Sequence, residues 1–376
     1  MADSPILIAG GGIAGLATSL GLAKIGRQSH VLEKSRIFET VGAGLQLGPN
    51  AVRALQYLGA WDGVAPHCSS PEEIHILDGL TGKIWKRIKL GREFEKRFGA
   101  PYRVCHRADL QAGLLANVRA SSAIELQSNA EVVDASIAET SLTLRNGLTM
   151  KAPAILAADG IHSVIRNKIG DGPAPDNSGH TLFRALLPMH AVPAGIEANV
   201  VSLWLYPGGH VVHYAVSNGT QFNIVATVGT QGTTPEALFK SACSPLAGIL
   251  RVPENWLEWP ALDLAPRTIW SRNNICLIGD AAHASLPYLA QGAAMSLEDA
   301  WVLSACMQAN PDSSSAFESF AAKRAPRTWA VQIRSRRLGN IYHAKGLTRL
   351  LTGMVLRAQP SHLFLKQLSW LYQWDA

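Results

Sequence analysis

The chain has 376 residues, 47% of them hydrophobic and 16% charged, so it can bury two substantial cores and is too apolar for global disorder. Its net charge of +6 is not gathered into a basic tract with interleaved aromatics; the densest cluster, Lys323 to Arg337, shares a helical pattern with Trp329, Val331 and Ile333 and is expected as a solvated helix face, which argues against nucleic acid as a partner. Five scattered cysteines offer no zinc or dithiol spacing, no apolar stretch of about 18 residues is present to span a membrane, and the N-terminus lacks a signal pattern, so no metal and a reducing cytoplasm are expected.

Pro5 to Ala9 reads as a short apolar strand. Gly10-Gly11-Gly12-Ile13-Ala14-Gly15 then turns into a helix running to about Lys24, and Ser29 to Glu33 makes the next strand. In that context the glycines have separate tasks: a tight turn at Gly10, close backbone approach to a pyrophosphate at Gly12, and close helix–strand packing at Gly15. Glu33 ends the second strand, where a carboxylate can accept hydrogen bonds from ribose hydroxyls.

Beyond residue 40, the Gly-rich VGAGLQLGPN feeds a helix from about Asn50 to Leu58, and His106-Arg107-Ala108-Asp109-Leu110 starts another through Val118. Asn146-Gly147 marks a hairpin between SLTLR and LTMKA. Ala154 to Ala158 is a buried strand that ends in Asp159-Gly160. From about Asn177 to Ile269 the pattern changes to short strands with Gly/Pro turns, which predicts an antiparallel sheet. In its strand HVVHYAV, alternation puts His210, Val212 and Tyr214 on one face and Val211 and His213 on the other.

Ile275 to Ile278 is a further buried strand, stopping at Gly279-Asp280. A loop with Pro287 follows, and Gln291-Gly292 opens an Ala-rich helix carrying Glu298 and Asp299; helical patterns continue from Met295 to the last residue. Strand ends and helix N-termini hold anionic ligands because free N–H groups and the helix dipole converge there. The layout predicts an α/β fold. Residues 1–70, 100–176 and 270–330 form a discontinuous nucleotide domain, 71–99 and 177–269 an inserted antiparallel substrate domain, and 331–376 a helical C-terminal segment.

Three motifs occur in order: GGGIAG with Glu33, ILAADGIHSVIR (Ile155 to Arg166) and LIGDAAHASLP (Leu277 to Pro287). Together they resemble the single-component FAD-dependent aromatic hydroxylases, the group A flavoprotein monooxygenases built like para-hydroxybenzoate hydroxylase. HRADL at His106 to Leu110, LAQGAAMSLEDA at Leu289 to Ala300 and the ending WLYQWDA add to the match, which spans the chain. LAQG is similar to the 3-hydroxybenzoate 6-hydroxylase branch, and the ending to salicylate and 3-hydroxybenzoate hydroxylases.

The resemblance implies a Rossmann-like FAD-binding domain with an inserted antiparallel-sheet substrate domain and C-terminal helices. Gly10, Gly12, Ala14 and Gly15 would hold the FAD pyrophosphate, Glu33 the adenosine ribose, and Asp280 the ribityl chain. Arg107 would contact the cofactor, a surface ion pair being its alternative. Backbone around Gly292 and Ala293 would face the flavin's pyrimidine edge, where a helix N-terminus favours negative charge on reduced flavin. Asp159 belongs to a DG motif that touches FAD and the transient nicotinamide site; its alternative is a local cap of the Gly160-to-Arg166 turn.

The chemistry so implied uses NADH or NADPH as a transient co-substrate and O2, through a flavin C4a-hydroperoxide, to hydroxylate a monohydroxybenzoate-like acid in a dry pocket. A phenol reacts faster as phenolate, so a histidine with a pKa near working pH is expected beside it. Related hydroxylases with an H-x-x-x-Y pair point to His210 and Tyr214, and the 3-hydroxybenzoate branch to Gln291, as catalytic residues. His213 is a weaker candidate, and His283 is expected in a structural or cofactor-shell role. Two departures stand out: Val216-Ser217-Asn218-Gly219 replaces a VRGG turn, so a basic side chain is missing, and Gln46 stands where related pyridine hydroxylases carry His. A homodimer is compatible with this reading. The alternatives are a same-fold flavin monooxygenase acting on a non-phenolic substrate, by epoxidation or ring modification, and a non-catalytic FAD- or NAD-binding protein. Asp159-Gly160 and Gly279-Asp280 argue against the last, since simple dinucleotide binders need only the first motif.

Overall fold

The structure, a computed structural model, describes residues 4–38, 43–170, 174–229 and 232–374. Val41 and Gly42 of the Gly-rich loop, and Asp375 and Ala376 of the WLYQWDA ending, lie outside the described residues.

Short apolar runs at four places in the chain come together as one sheet. Its spatial order is Ser271–Arg272, Ile275–Leu277, Ile155–Ala157, Ile6–Ala9, Ser29–Leu32 and Ile124–Gln127, parallel throughout except for the first pair. Four of these strands are buried at every position, as expected for strands covered on both faces. Register then sets the functional geometry. Ala9 lies opposite both Ala157 and Leu32, and Ala157 opposite Leu277, so these strands stop at one level. The residues that follow them, Gly10, Glu33, Asp159 and Asp280, converge for that reason.

The second sheet has seven strands in the order Leu257–Asp263, Asp176–Pro188, Gln221–Val228, Gly209–Val216, Val200–Tyr206, Glu73–Asp78 and Ile84–Lys89. It departs from the expected antiparallel sheet at one pair: Val200–Tyr206 and Glu73–Asp78 run parallel. Strands so distant in sequence are joined by a long crossover through the other sheet, which permits a parallel pair where a hairpin does not. A ribbon of Gly44–Leu47 and Arg103–His106 lies between the sheets, and Gly44 N donates to Asn223 Oδ1 at 2.7 Å.

Helices Gly292–Ala309 and Ser313–Tyr342 pack together, and shorter helices follow to Tyr372. Here the expected solvated basic face needs correction. Lys323, Arg334 and Arg337 are exposed, but Arg324 is fully buried and Arg327 nearly so. Both turn toward Glu298 and Asp299, adjacent carboxylates on the neighbouring helix that are themselves 0% exposed. Buried carboxylates without cationic partners cost several kcal/mol or more, so two members of this cluster, Arg324 and Arg327, serve as counter-ions. Among the described residues no helix is long and apolar enough to cross a membrane, no His/Cys/Asp/Glu group could hold a metal ion, and all five cysteines are free.

Candidate active site

A cavity of about 600 Å³ opens at the carboxyl ends of the parallel strands and reaches the face of the seven-stranded sheet. It is lined by Gly10, Gly12, Ala14, Glu33, Arg107 and Asp159, and by Asp280, Gly292 and Ala293. His210, Tyr214 and Gln291 line the same space. Gly15 does not reach it: a Cβ there would lie 1.9 Å from the Gly10 carbonyl oxygen, so this glycine packs the turn against the helix.

At the strand ends the polypeptide leaves hydrogen-bonding capacity open. Gly10 has φ +107°, and a Cβ on it would meet the Ala158 carbonyl oxygen at 2.4 Å. Gly12 caps helix Ile13–Lys24 and Gln291 caps helix Gly292–Ala309; neither has a side-chain cap, so the first N–H groups of both helices are available to a ligand. Glu33 is held by Gly11 N, donating to Oε2 at 2.7 Å, and Ser35 N, donating to Oε1 at 2.9 Å; each oxygen keeps a lone pair. Asp159 Oδ2 accepts from Val164 N at 3.0 Å, which makes the local cap, while its buried Oδ1 has no partner among the described residues. Burial pushes the Asp159 carboxyl up, against the hydrogen bonds that favour its charge. Arg107 is anchored through its backbone N–H to the Ala43 carbonyl at 3.0 Å, and its buried Nε has no acceptor among the described residues.

Asp280 begins a one-turn helix, Asp280–His283, where a loop was expected. The turn requires Gly279, at φ +58° and with Ala14 Cβ 2.7 Å from where its own Cβ would be. Asp280 lines the cavity, and burial among the surrounding protein raises its carboxyl above the ordinary range, with His283 and Arg107 acting in the opposite sense. His283 stands behind it, Nε2 at 2.6 Å from Asp299 Oδ2. Burial works against charge on Asp299, yet His283 and Arg324 bring its carboxyl down to about 2. Two uncapped helix N-termini, an open cradle at Gly12 and two orphaned polar atoms fit an elongated, phosphate-bearing cofactor such as FAD.

The other wall is a sheet face. His210, Val212 and Tyr214 of strand Gly209–Val216 line the cavity, whereas Val211 and His213 pack away from it. His213 Nε2 accepts from Trp204 Nε1 at 2.8 Å, and burial takes its imidazole down to about 3, so it is a neutral structural acceptor. His210 sits with Nδ1 2.9 Å from His343 Nε2 and Nε2 3.4 Å from Thr227 Oγ1. Burial, then His343 and His180, hold His210 well below the usual histidine range, lower than the near-neutral value expected. Burial likewise raises the Tyr214 hydroxyl pKa. Tyr102 OH donates to Gln46 Oε1, and Gln46 borders Tyr214. Gln291 is buried, and its Oε1 accepts from Asn50 Nδ2 at 2.9 Å.

Three residues escaped sequence reasoning: His343, Asn50 and Arg184. Arg184, on strand Asp176–Pro188, lines the cavity with its Nε buried and without an acceptor among the described residues, and its guanidinium lies 5.2 Å over the Trp259 ring. Burial lowers its pKa. The available signal was a lone arginine in the apolar run HTLFRALLP, sharing a face with Leu182 and Leu186. Ser217, where the VRGG arginine is missing, belongs to a hairpin turn and donates to Asp109 Oδ2 at 2.8 Å.

A family model described as "FAD binding domain" matches residues 3–335. The 3-hydroxybenzoate 6-hydroxylase of Polaromonas naphthalenivorans (strain CJ2) is 34% identical over 100% of this chain and 97% of its own length. The 3-hydroxybenzoate 6-hydroxylase 1 of Aquipseudomonas alcaligenes is 35% identical over 98% of this chain and 97% of its own. Klebsiella pneumoniae HpxO, solved in complex with FAD and uric acid, shares the fold at a TM-score of 0.87 and 21% identity, covering 97% of this chain and 95% of that one. With its glycine turn, acidic strand ends and uncapped helix N-termini around one cavity, the chain belongs to the FAD binding domain family and, within it, to the group A FAD-dependent aromatic hydroxylases.

Proposed function

We propose that this chain hydroxylates a small monohydroxylated benzoate, 3-hydroxybenzoate first among them, using NAD(P)H and O2. The observation that carries this reading is a half-buried cation, Arg184, and a neutral histidine, His210, lining the same cavity as the cofactor cradle. FAD, when bound, supplies the reducing equivalents taken from NAD(P)H and activates O2 for transfer to the ring.

In this reading Gly10, Gly12, Ala14 and Gly15 shape the pyrophosphate cradle and Glu33 takes the ribose. Arg107 and Asp159 complete the cofactor's hydrogen bonding, Asp280 takes the ribityl chain, and the N–H groups at Gly292 and Ala293 face the flavin ring. Arg184 binds the substrate carboxylate, the role left vacant at Ser217, and its poorly screened charge favours the phenolate. His210, with Nδ1 engaged by His343, accepts the phenolic proton at Nε2. Tyr214 and Gln291 orient the ring, and the apolar Val212, Leu182 and Val225 keep water from it. Residues 1–70, 100–176 and 270–330 act as the FAD unit, 71–99 and 177–269 as the substrate unit, and 331–376 as a helical brace, in the cytoplasm where NAD(P)H is supplied. Membership of the two large sheets supports that division.

The test is a panel of monohydroxybenzoates and non-phenolic alkenes, with NAD(P)H oxidation followed alongside product identification. 3-Hydroxybenzoate is expected to give near-stoichiometric hydroxylated product. NAD(P)H oxidation stimulated by alkenes alone, or protein that takes up no FAD and shows no flavin absorbance, overturns the proposal.

A further inference from the structure

A carboxamide on a cavity wall can offer a substrate either its C=O acceptor or its NH2 donor, and the group behind it decides which. Behind Gln291 stands Asn50, whose Nδ2 is 2.9 Å from Gln291 Oε1 and 2.7 Å from Glu298 Oε1. Glu298 is locked as an acceptor. Its Oε2 receives Arg324 Nη1 at 2.6 Å and Arg327 Nε at 3.2 Å, and its Oε1 receives Arg327 Nη2 at 2.8 Å. Arg327 is fixed in turn by the carbonyls of Trp370 and Leu371, at 2.6 and 2.8 Å. Turning the Asn50 amide over sets its carbonyl oxygen against a carboxylate, a repulsion in a buried site with no water to screen it. Asn50 therefore points its NH2 at Glu298, and the second hydrogen of the same nitrogen goes to Gln291 Oε1. The Gln291 NH2 has no acceptor among the described residues and is left for the cavity.

We infer that Asn50 is a positioning residue, which with Glu298 and its two arginines locks the Gln291 amide with its donor toward the substrate. The site then selects an acceptor phenolate oxygen at this point and disfavours a donor such as a ring amino group. This inference rests on the reading of Gln291 as a substrate contact.

Calorimetric titration of the holoenzyme with 3-hydroxybenzoate and with 3-aminobenzoate tests it. In Asn50→Leu the amide is free to turn, so the preference for the hydroxy over the amino ligand should fall roughly tenfold, with the amino ligand's affinity held or raised. Gln291→Leu should weaken the hydroxy ligand and give the amino ligand nothing. An unchanged ratio in Asn50→Leu, beside a changed one in Gln291→Leu, overturns the lock and leaves the substrate contact standing. Unchanged affinities in Gln291→Leu overturn the contact itself. Should Asn50→Leu fail to fold, Gln291→Glu serves: Asn50 still holds one carboxylate oxygen and only an acceptor faces the cavity. Roughly tenfold or greater loss of the hydroxy ligand is then expected, and undiminished binding refutes the inference.

Discussion

The parallel sheet meets the cavity with its strand ends, whereas the seven-stranded sheet meets it with a face. At the strand ends the working parts are backbone: glycines that permit sharp turns, N–H groups of uncapped helices, and carboxylates set at one level by register. On the sheet face they are side chains at alternating positions, Arg184 on one strand and His210 and Tyr214 on its second neighbour. A backbone cradle is intolerant of change, because a side chain added at Gly10 or Gly15 occupies space the main chain needs, and one at Gly12 occupies the space left open beside it. A sheet face can exchange its outward chemistry while the ladder beneath stays the same. On the proposed reading, the strand ends serve the cofactor and the sheet face serves the substrate, with Gln291 alone reaching the substrate from the cofactor side.

The sharpest way to break this contrast is at the cradle. Gly15→Val puts a side chain where even Cβ is 1.9 Å from the Gly10 carbonyl oxygen, so FAD affinity, read by flavin fluorescence, should fall roughly 100-fold or more. Retention at wild-type strength would end the argument from backbone geometry. On the opposite wall, His210→Ala should leave FAD binding alone and lower coupled product formation roughly 100-fold; unchanged product per NAD(P)H excludes His210 as the base. Arg184→Met should raise KM for a carboxylate substrate roughly tenfold or more while sparing kcat for a neutral phenol. An equal effect on both substrates would remove Arg184 from carboxylate recognition.

The last effect concerns the hidden side of the same strand and is absent at neutral pH. His213 has an ordinary value of 6.5 in the unfolded chain and about 3 in the fold. Above 6.5 both states are neutral there and stability does not depend on this group. Below 6.5 the unfolded chain gains a proton that the fold refuses, so stability falls by about 1.4 kcal/mol per pH unit until about pH 3. Denaturant midpoints measured across that window should show a shallower slope in His213→Gln, which keeps an acceptor for Trp204 without the titration.

What could be read ahead of the structure follows from range. The glycine turn, the acidic strand ends and the parity separating His210 from His213 are local patterns, visible within about ten residues. Arg184 was no less local, but which face of its strand is interior depends on the sheet packed against it. For the Lys323-to-Arg337 segment, periodicity assigns faces without saying that Glu298 and Asp299 wait beneath Arg324 and Arg327. The pKa of His210 lies below a near-neutral value for a similar reason, since its burial first, and then His343 from 133 residues away, are set only by the fold.

The bond between Asn50 and Glu298 joins residues 248 positions apart, and that between Asn50 and Gln291 spans 241. Closing loops of that length costs entropy before any contact rewards it, so such pairings belong to the late, slow part of a folding reaction. The substrate pocket is thus a marker of complete assembly. Helical signal should return first on refolding from denaturant, and the ability to tell one aromatic acid from another should return last.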